Sequence, residues 1–277
     1  MKAARKREIE RYLRTGDSDS FHPAWGGGVF QAARQAKEDL KSALIEEAKG
    51  RACGMRSKRV PRGLDLRAFT RAKVEAMVRG LFPAREREPV LSTLERSVVF
   101  VTRSNIERLI RNEAWLSTAW QLANLYLTGL GAEPLGDGES PIVGFSEETT
   151  CYLSTEYFAA EDKFADFVVH EVAHIFHNCK RGTVGLPETR KREWLLNIDF
   201  GMRETFAYGC EAYSCLRELG PRPADRHRLL AELLRGPMPP TDLVDEDAYR
   251  EMLSEAVAAR NGWKRILARC APSGRGQ

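Results

Sequence analysis

The sequence has few of the features that assign a chain to a class at once. No run of eighteen apolar residues occurs among its 277, so a bilayer-spanning helix is not expected and no membrane partner is implied. The basic opening Met1-Lys2-Ala3-Ala4-Arg5-Lys6-Arg7-Glu8 leads into no apolar segment of the kind a secretory leader needs. Six cysteines, at 53, 151, 179, 210, 215 and 270, make no C-x-x-C pair and no regular framework, which argues against disulfide stapling and against a cysteine-held metal. Reduced thiols and a cytoplasmic location are the expectation. Charge of one sign is barely in excess, and a formal net charge of +4 is too small to mark a nucleic-acid partner by itself. Hydrophobic residues make up 43%, enough for this length to bury a substantial core. Histidine is the scarce residue, with five in the whole chain, and its placement is therefore informative.

Three of those five fall at 170, 174 and 177. Across residues 162–177, Phe164, Phe167, Val168, Val172, Ile175 and Phe176 recur at three- and four-residue steps with no proline or glycine between them, so the spacing predicts an amphipathic helix. Residues four apart on a helix are neighbours, roughly 6 Å between Cβ atoms, and His170 and His174 can therefore hold one ion between them. Glu171 leaves the same helix beside them. Two neutral imidazoles suit Zn2+, and a carboxylate next to the ion can take a proton from a water polarised between Zn2+ and Glu171. The run His170-Glu171-Val172-Ala173-His174 has the H-E-x-x-H form of metalloproteases, a form that carries meaning only on a helix. His177, one turn on, reads as a further donor near the metal or as the polar end of the helix, where a cation suits the dipole.

Such a site needs a third protein ligand and keeps a fourth position open. Residues 203–213 read as a second helix, with Phe206, Cys210, Tyr213 and Leu216 on an apolar face and Glu204, Tyr208 and Glu211 on a stripe beside it. Here the chain resembles the gluzincin clan of zinc metallopeptidases, in which a Glu on a helix after the HExxH helix completes the site. The run Glu204-Thr205-Phe206-Ala207-Tyr208 also looks like the E-x-F-A turn that several gluzincin families place around that ligand. The resemblance covers roughly residues 141–219 and implies Glu204, thirty residues after His174, as the third ligand, with Glu211 as its rival. Asp199 would imply an aspzincin-like site, but the G-T-x-D context of that family is absent and an N-cap role suits it better. A metzincin site is not met, because His177 stands where glycine would be and Lys180 where a third histidine would be. The thermolysin-type N-E-x-x-x-D is also missing, with Tyr208 in place of the backing carboxylate. Tyr208 is then a candidate for hydrogen-bonding a ligand or the oxyanion that forms on an attacked carbonyl.

The resemblance implies a zincin-like core, so the expected fold class is α+β, predominantly helical, with a small sheet. The expected organisation is a basic helical N-terminal extension over residues 1–95, carrying a flexible Gly-rich linker at Gly26-Gly27-Gly28, and a catalytic domain over 96–277 that includes C-terminal packing helices. Helices are predicted at residues 29–50, 64–81, 104–125 with an internal bend, 224–235 and 245–268, and a buried strand at Val98-Val99-Phe100-Val101. Ser104-Asn105-Ile106-Glu107 has capping-box spacing. Residues 142–145 and 149–153 read as a bent strand or hairpin. By comparison with zincins, 149–153 would be the edge strand that pairs with an extended peptide, making Thr150, Cys151 and Tyr152 candidate substrate-binding residues. Lys180-Arg181 and Arg190-Lys191-Arg192 could make the mouth of the cleft positive.

The functional expectation is a zinc-dependent peptidase acting on a peptide or protein substrate. The alternative is a non-catalytic helical interaction protein, or a nucleic-acid-binding one using the basic stretch Arg51 to Arg62, in which HExxH is vestigial or fortuitous.

Overall fold

The structure is a computed structural model, and it describes residues 2–55, 60–136, 142–190 and 192–272. Eleven helices are seen among them: α1 (Lys2–Thr15), α2 (Val29–Arg51), α3 (Leu66–Leu81), α4 (Ala84–Leu94), α5 (Ile106–Asn112), α6 (Leu116–Thr128), α7 (Phe167–Asn178), α8 (Arg203–Leu219), α9 (Pro223–Leu233), α10 (Glu246–Ala258) and α11 (Gly262–Cys270). Three strands, β1 (Val98–Val101), β2 (Gly144–Glu147) and β3 (Thr150–Ser154), form one sheet in the order β1-β3-β2. The class is thus α+β with helix dominant, as the periodicity predicts.

The chain divides into two compact units, and the boundary differs from the expected break at residue 95. One unit takes residues 1–62, 100–144 and 152–159; the other takes 63–99, 145–151 and 160–277. Helices α3 and α4 therefore group with the HExxH helix rather than with the N-terminal helices.

In the first unit, the small and branched residues Ala32, Ala36, Leu40, Leu44 and Ala48 recur along one face of α2, and all are buried. Helix α6 is apolar nearly all round, from Ala119 to Leu127, and is buried accordingly. Two aromatic side chains tie α1 to it: the Tyr12 hydroxyl donates to the Leu116 carbonyl at 2.7 Å and Trp120 Nε1 donates to the Leu13 carbonyl at 3.1 Å. The stretch between α1 and α2, expected as a flexible connection, is pinned. Trp25 is 2% exposed and its Nε1 donates to Asp39 at 2.8 Å, while His22 is buried against it.

The second unit is a helical assembly in which α7 packs on α8, and α8 in turn packs on α9, α10 and α11. Close approach requires glycine at two points. A methyl group on Gly80 of α3 would collide with the Trp263 ring of α11, and one on Gly209 of α8 would meet Met252 of α10. The interhelix loop after α7 is clamped by a buried ion pair, Arg181 Nη2 to Glu86 Oε1 at 2.9 Å, with both side chains no more than 4% exposed.

Candidate metal centre

Helix α7 begins at Phe167, later than the expected start at 162, because Asp166 caps it, its carboxylate accepting from the Val169 amide at 3.3 Å, and it is held by Val168, Val172, Ala173, Ile175 and Phe176, wholly buried along its length. Its remaining face carries His170 and His174. Helix α8 starts after a 3-10 turn, Phe200–Met202, where the Asp199 carboxylate accepts from the Gly201 amide at 3.0 Å. Asp199 is thus a turn residue, in keeping with its N-cap reading. Glu204 lies in the first turn of α8, which leaves its side chain free to reach α7.

Three donor atoms converge. His170 Nε2 and His174 Nε2 are 3.3 Å apart, and Glu204 Oε2 is 3.7 Å from the first and 3.6 Å from the second. Ligands bound tetrahedrally at about 2.0–2.1 Å lie roughly 3.3–3.4 Å from one another, so the edge between the imidazoles matches and the two edges to Glu204 are slightly longer, a triangle of a size to hold one metal ion such as Zn2+. The two imidazoles and one carboxylate are also the donor set such an ion prefers.

Glu211, the expected rival ligand, has a different place. It stands behind His170: its Oε2 lies 3.0 Å from His170 Nδ1, and its Oε1 accepts from the Asp166 amide at 2.7 Å. A carboxylate in that position fixes the ring orientation and leaves Nε2 facing Glu204, as the partners of metal-binding histidines do. His174 is held in the same way by another imidazole. Its Nδ1 is 3.0 Å from His177 Nε2, and His177 Nδ1 is 3.0 Å from Asn178 Oδ1. His177 is therefore buried against His174 and outside the converging group, rather than a solvated helix end. Lys73 of α3 reaches Asp166 Oδ2 at 3.0 Å and Glu218 at 3.1 Å, which balances the buried cap.

The electrostatics follow from burial and from these partners. Burial disfavours the cationic form of His170, but its hydrogen bonds to Glu204 and Glu211 prevail and raise its pKa to about 10. Burial and the charge on His170 push His174 down to about 3. Burial, joined by the Arg203 charge, takes His177 down to about 4. Glu171 is 7% exposed, and desolvation lifts its carboxyl to about 7 against a hydrogen bond from Ser146 of β2. A carboxyl group poised near neutrality suits proton transfer in either direction.

Tyr208 sets its ring edge-on to His170, centroids 4.5 Å apart, and burial raises its hydroxyl to about 12, so it is a proton donor at any ordinary pH. The proposed peptide-binding strand is placed differently from the expectation. β3 is the central strand, flanked by β1 and β2, and no strand can add to its edge. Cys151 is fully buried with its amide bonded to the Ser97 carbonyl, and the unit boundary falls between it and Tyr152, so Thr150, Cys151 and Tyr152 do not form a substrate ledge. The expected positive mouth is also largely neutralised. Arg181 and Arg192 share Glu86, and Lys180 pairs with Glu193 at 2.7 Å. Lys191, like residues 56–59 of the basic stretch 51–62, lies outside the described residues.

Comparisons with protein-family models, with curated proteins and with solved structures each find no match. Among the described residues no helix is long and apolar enough to cross a membrane.

Proposed function

We propose that the chain is a zinc-dependent peptidase of gluzincin type, hydrolysing a peptide bond in a peptide or protein substrate. The observation that carries this reading is the convergence of His170 Nε2, His174 Nε2 and Glu204 Oε2 at separations of 3.3, 3.7 and 3.6 Å, with Glu171 on the same helix as the two imidazoles. Zn2+, when bound, supplies a Lewis acid and makes water acidic enough to ionise near neutrality. The rest of the chemistry belongs to side chains of this chain. Glu171 takes the proton of the attacking water on its carboxylate and delivers it to the departing amide nitrogen. Glu211 and His177 hold the two imidazoles in the tautomers that leave each Nε2 lone pair for the ion. Tyr208 keeps its phenolic proton and can donate it to the oxygen of the attacked carbonyl.

Metal analysis together with two variants tests the reading. Purified protein should carry one zinc per chain, removed by a chelator and lost in His170→Ala. Glu171→Gln should keep its zinc and lose peptide hydrolysis by a factor of about 100 or more, since it removes a base and no ligand. A folded protein with no affinity for zinc sinks the proposal.

A further inference from the structure

His174 and His177 share one proton between two nitrogens. His174 Nδ1 and His177 Nε2 face each other at 3.0 Å, so one of them donates and the other accepts. A neutral imidazole has its N–H on one nitrogen and its lone pair on the other, which makes the choice run through both rings at once. If His177 donates, the proton of His174 lies on Nε2, in the direction from which an ion would be bound. If His174 donates, its Nε2 lone pair is left open. The neighbours of His174 Nε2 do not make the choice, because they pull in opposite directions. Glu204 Oε2, at 3.6 Å, would accept a proton from it, and His170 Nε2, at 3.3 Å, would donate one to it. The far end of the chain is unambiguous. His177 Nδ1 lies 3.0 Å from Asn178 Oδ1, and a carboxamide oxygen only accepts. The His177 proton is therefore on Nδ1, its Nε2 is bare, and His174 must donate.

We propose that Asn178 is the positioning residue for His174: acting through His177, its carboxamide oxygen places the His174 proton on Nδ1 and so opens Nε2 to a metal ion. Asn178 is the last residue of α7, half-buried, and lies outside the converging group, so its influence on the site passes only through the two rings. At His170 the matching task falls to Glu211, whose carboxylate accepts at Nδ1. The two imidazoles are thus prepared unequally, one by a carboxylate and one by a neutral relay. An asparagine side chain has a donor end as well as an acceptor end, and turning its amide end for end would reverse every bond in that relay. The inference rests on the metal-binding part of the peptidase reading and deepens it by naming what keeps the second imidazole ready.

Two-bond proton–nitrogen NMR correlations of the histidine rings, recorded on chelator-treated protein, report which nitrogen of each ring is protonated. In the wild-type protein His177 and His174 should both carry their proton on Nδ1. Asn178→Leu offers nothing to accept an Nδ1 proton, so in that variant both protons should move to Nε2. Zinc affinity, measured by competition with a chelator, should fall by about 10- to 100-fold at the same time. Asn178→Asp keeps an acceptor oxygen at that position and should restore the wild-type ring pattern and the zinc affinity. A merely structural role would lower the melting temperature of Asn178→Leu without moving ring protons. A wild-type spectrum with the His177 proton on Nε2 overturns the assignment, and it does so even where Asn178→Leu fails to fold. Unchanged ring protons or unchanged zinc affinity in Asn178→Leu also overturn it, and both leave the peptidase reading intact. A wild-type protein that shows the expected ring protons but binds no zinc sinks the peptidase reading and leaves the control of His174 by Asn178 standing.

Discussion

Glu171 shows how a single side chain can work against the fold that contains it. Its carboxyl moves from an ordinary value of 4.5 to about 7 because burial penalises the ionised form more than Ser146 and the neighbouring His170 relieve it. An acid with a raised folded pKa binds more protons folded than unfolded between those values, so the stability it contributes is present below about 4.5 and is lost as pH rises through about 7. In protein stripped of metal, the loss is of order 3 kcal/mol at most. Glu171→Gln should therefore raise the melting temperature of chelator-treated protein at pH 8 and leave it unchanged at pH 4, as followed by circular dichroism. Equal effects at both pH values would show that Glu171 is not held uncharged by its surroundings. Loss of hydrolysis paired with gain of stability is the pattern expected of a group placed for chemistry.

At the scale of elements, the clamp between α4 and the loop after α7 carries a separate expectation. Arg181 is 1% exposed, reaches Glu86 at 2.9 Å and the Pro187 carbonyl at 2.9 Å, and keeps one buried nitrogen, Nη1, without a partner. Removing the acid would strand the cation. Glu86→Ala should destabilise the protein by about 3–5 kcal/mol, whereas neutralising the exposed Arg192 should cost under about 1 kcal/mol, a difference that urea unfolding can measure.

Element positions were largely legible from apolar periodicity, since α2, α3, α9 and β1 stand within two residues of their expected ranges, while α7 starts later, at Phe167, and α8 runs on to Leu219. The misses have local causes. One predicted helix over 104–125 is two, broken at residues 113–115, and the capping residue is Asn105, whose amide side chain bonds Thr102 and Phe100 rather than the helix. Another over 245–268 is broken at 259–261, where Asn261 caps α11 by accepting from Lys264. Helix α4 carried no visible signal because Pro83 precedes it and Pro89 lies within it. Spacing also picked out His170, His174 and Glu204, which the structure brings together, but it could not tell which of two acids would join the imidazoles. Glu204 and Glu211 lie two turns apart on one stripe of α8, and only the packing of α8 on α7 decides which faces Nε2 and which faces Nδ1.

Across the whole molecule the triangle and the groups behind it, Glu211 and His177, all belong to the second unit, so metal uptake should be read out there. The proton inventory gives the direction. His170, with a pKa raised to about 10 by Glu204 and Glu211 against the opposing effect of burial, is protonated at neutral pH, and an ion can reach its Nε2 only by displacing that proton. His174 and His177, held at about 3 and 4, are already neutral and release nothing. Zinc titration of chelator-treated protein at pH 8 should then liberate about two protons per ion, one displaced from His170 and one from the water that the ion would ionise, measured from the dependence of the calorimetric heat on the ionisation enthalpy of the buffer. Apparent affinity should rise by more than about tenfold for each pH unit between 7 and 9, approaching about a hundredfold, and free zinc at 100 times its dissociation constant should add about 2.7 kcal/mol to the unfolding free energy. Release of only about one proton would mean that His170 is neutral before the ion arrives, and that the acids flanking its ring do not charge it.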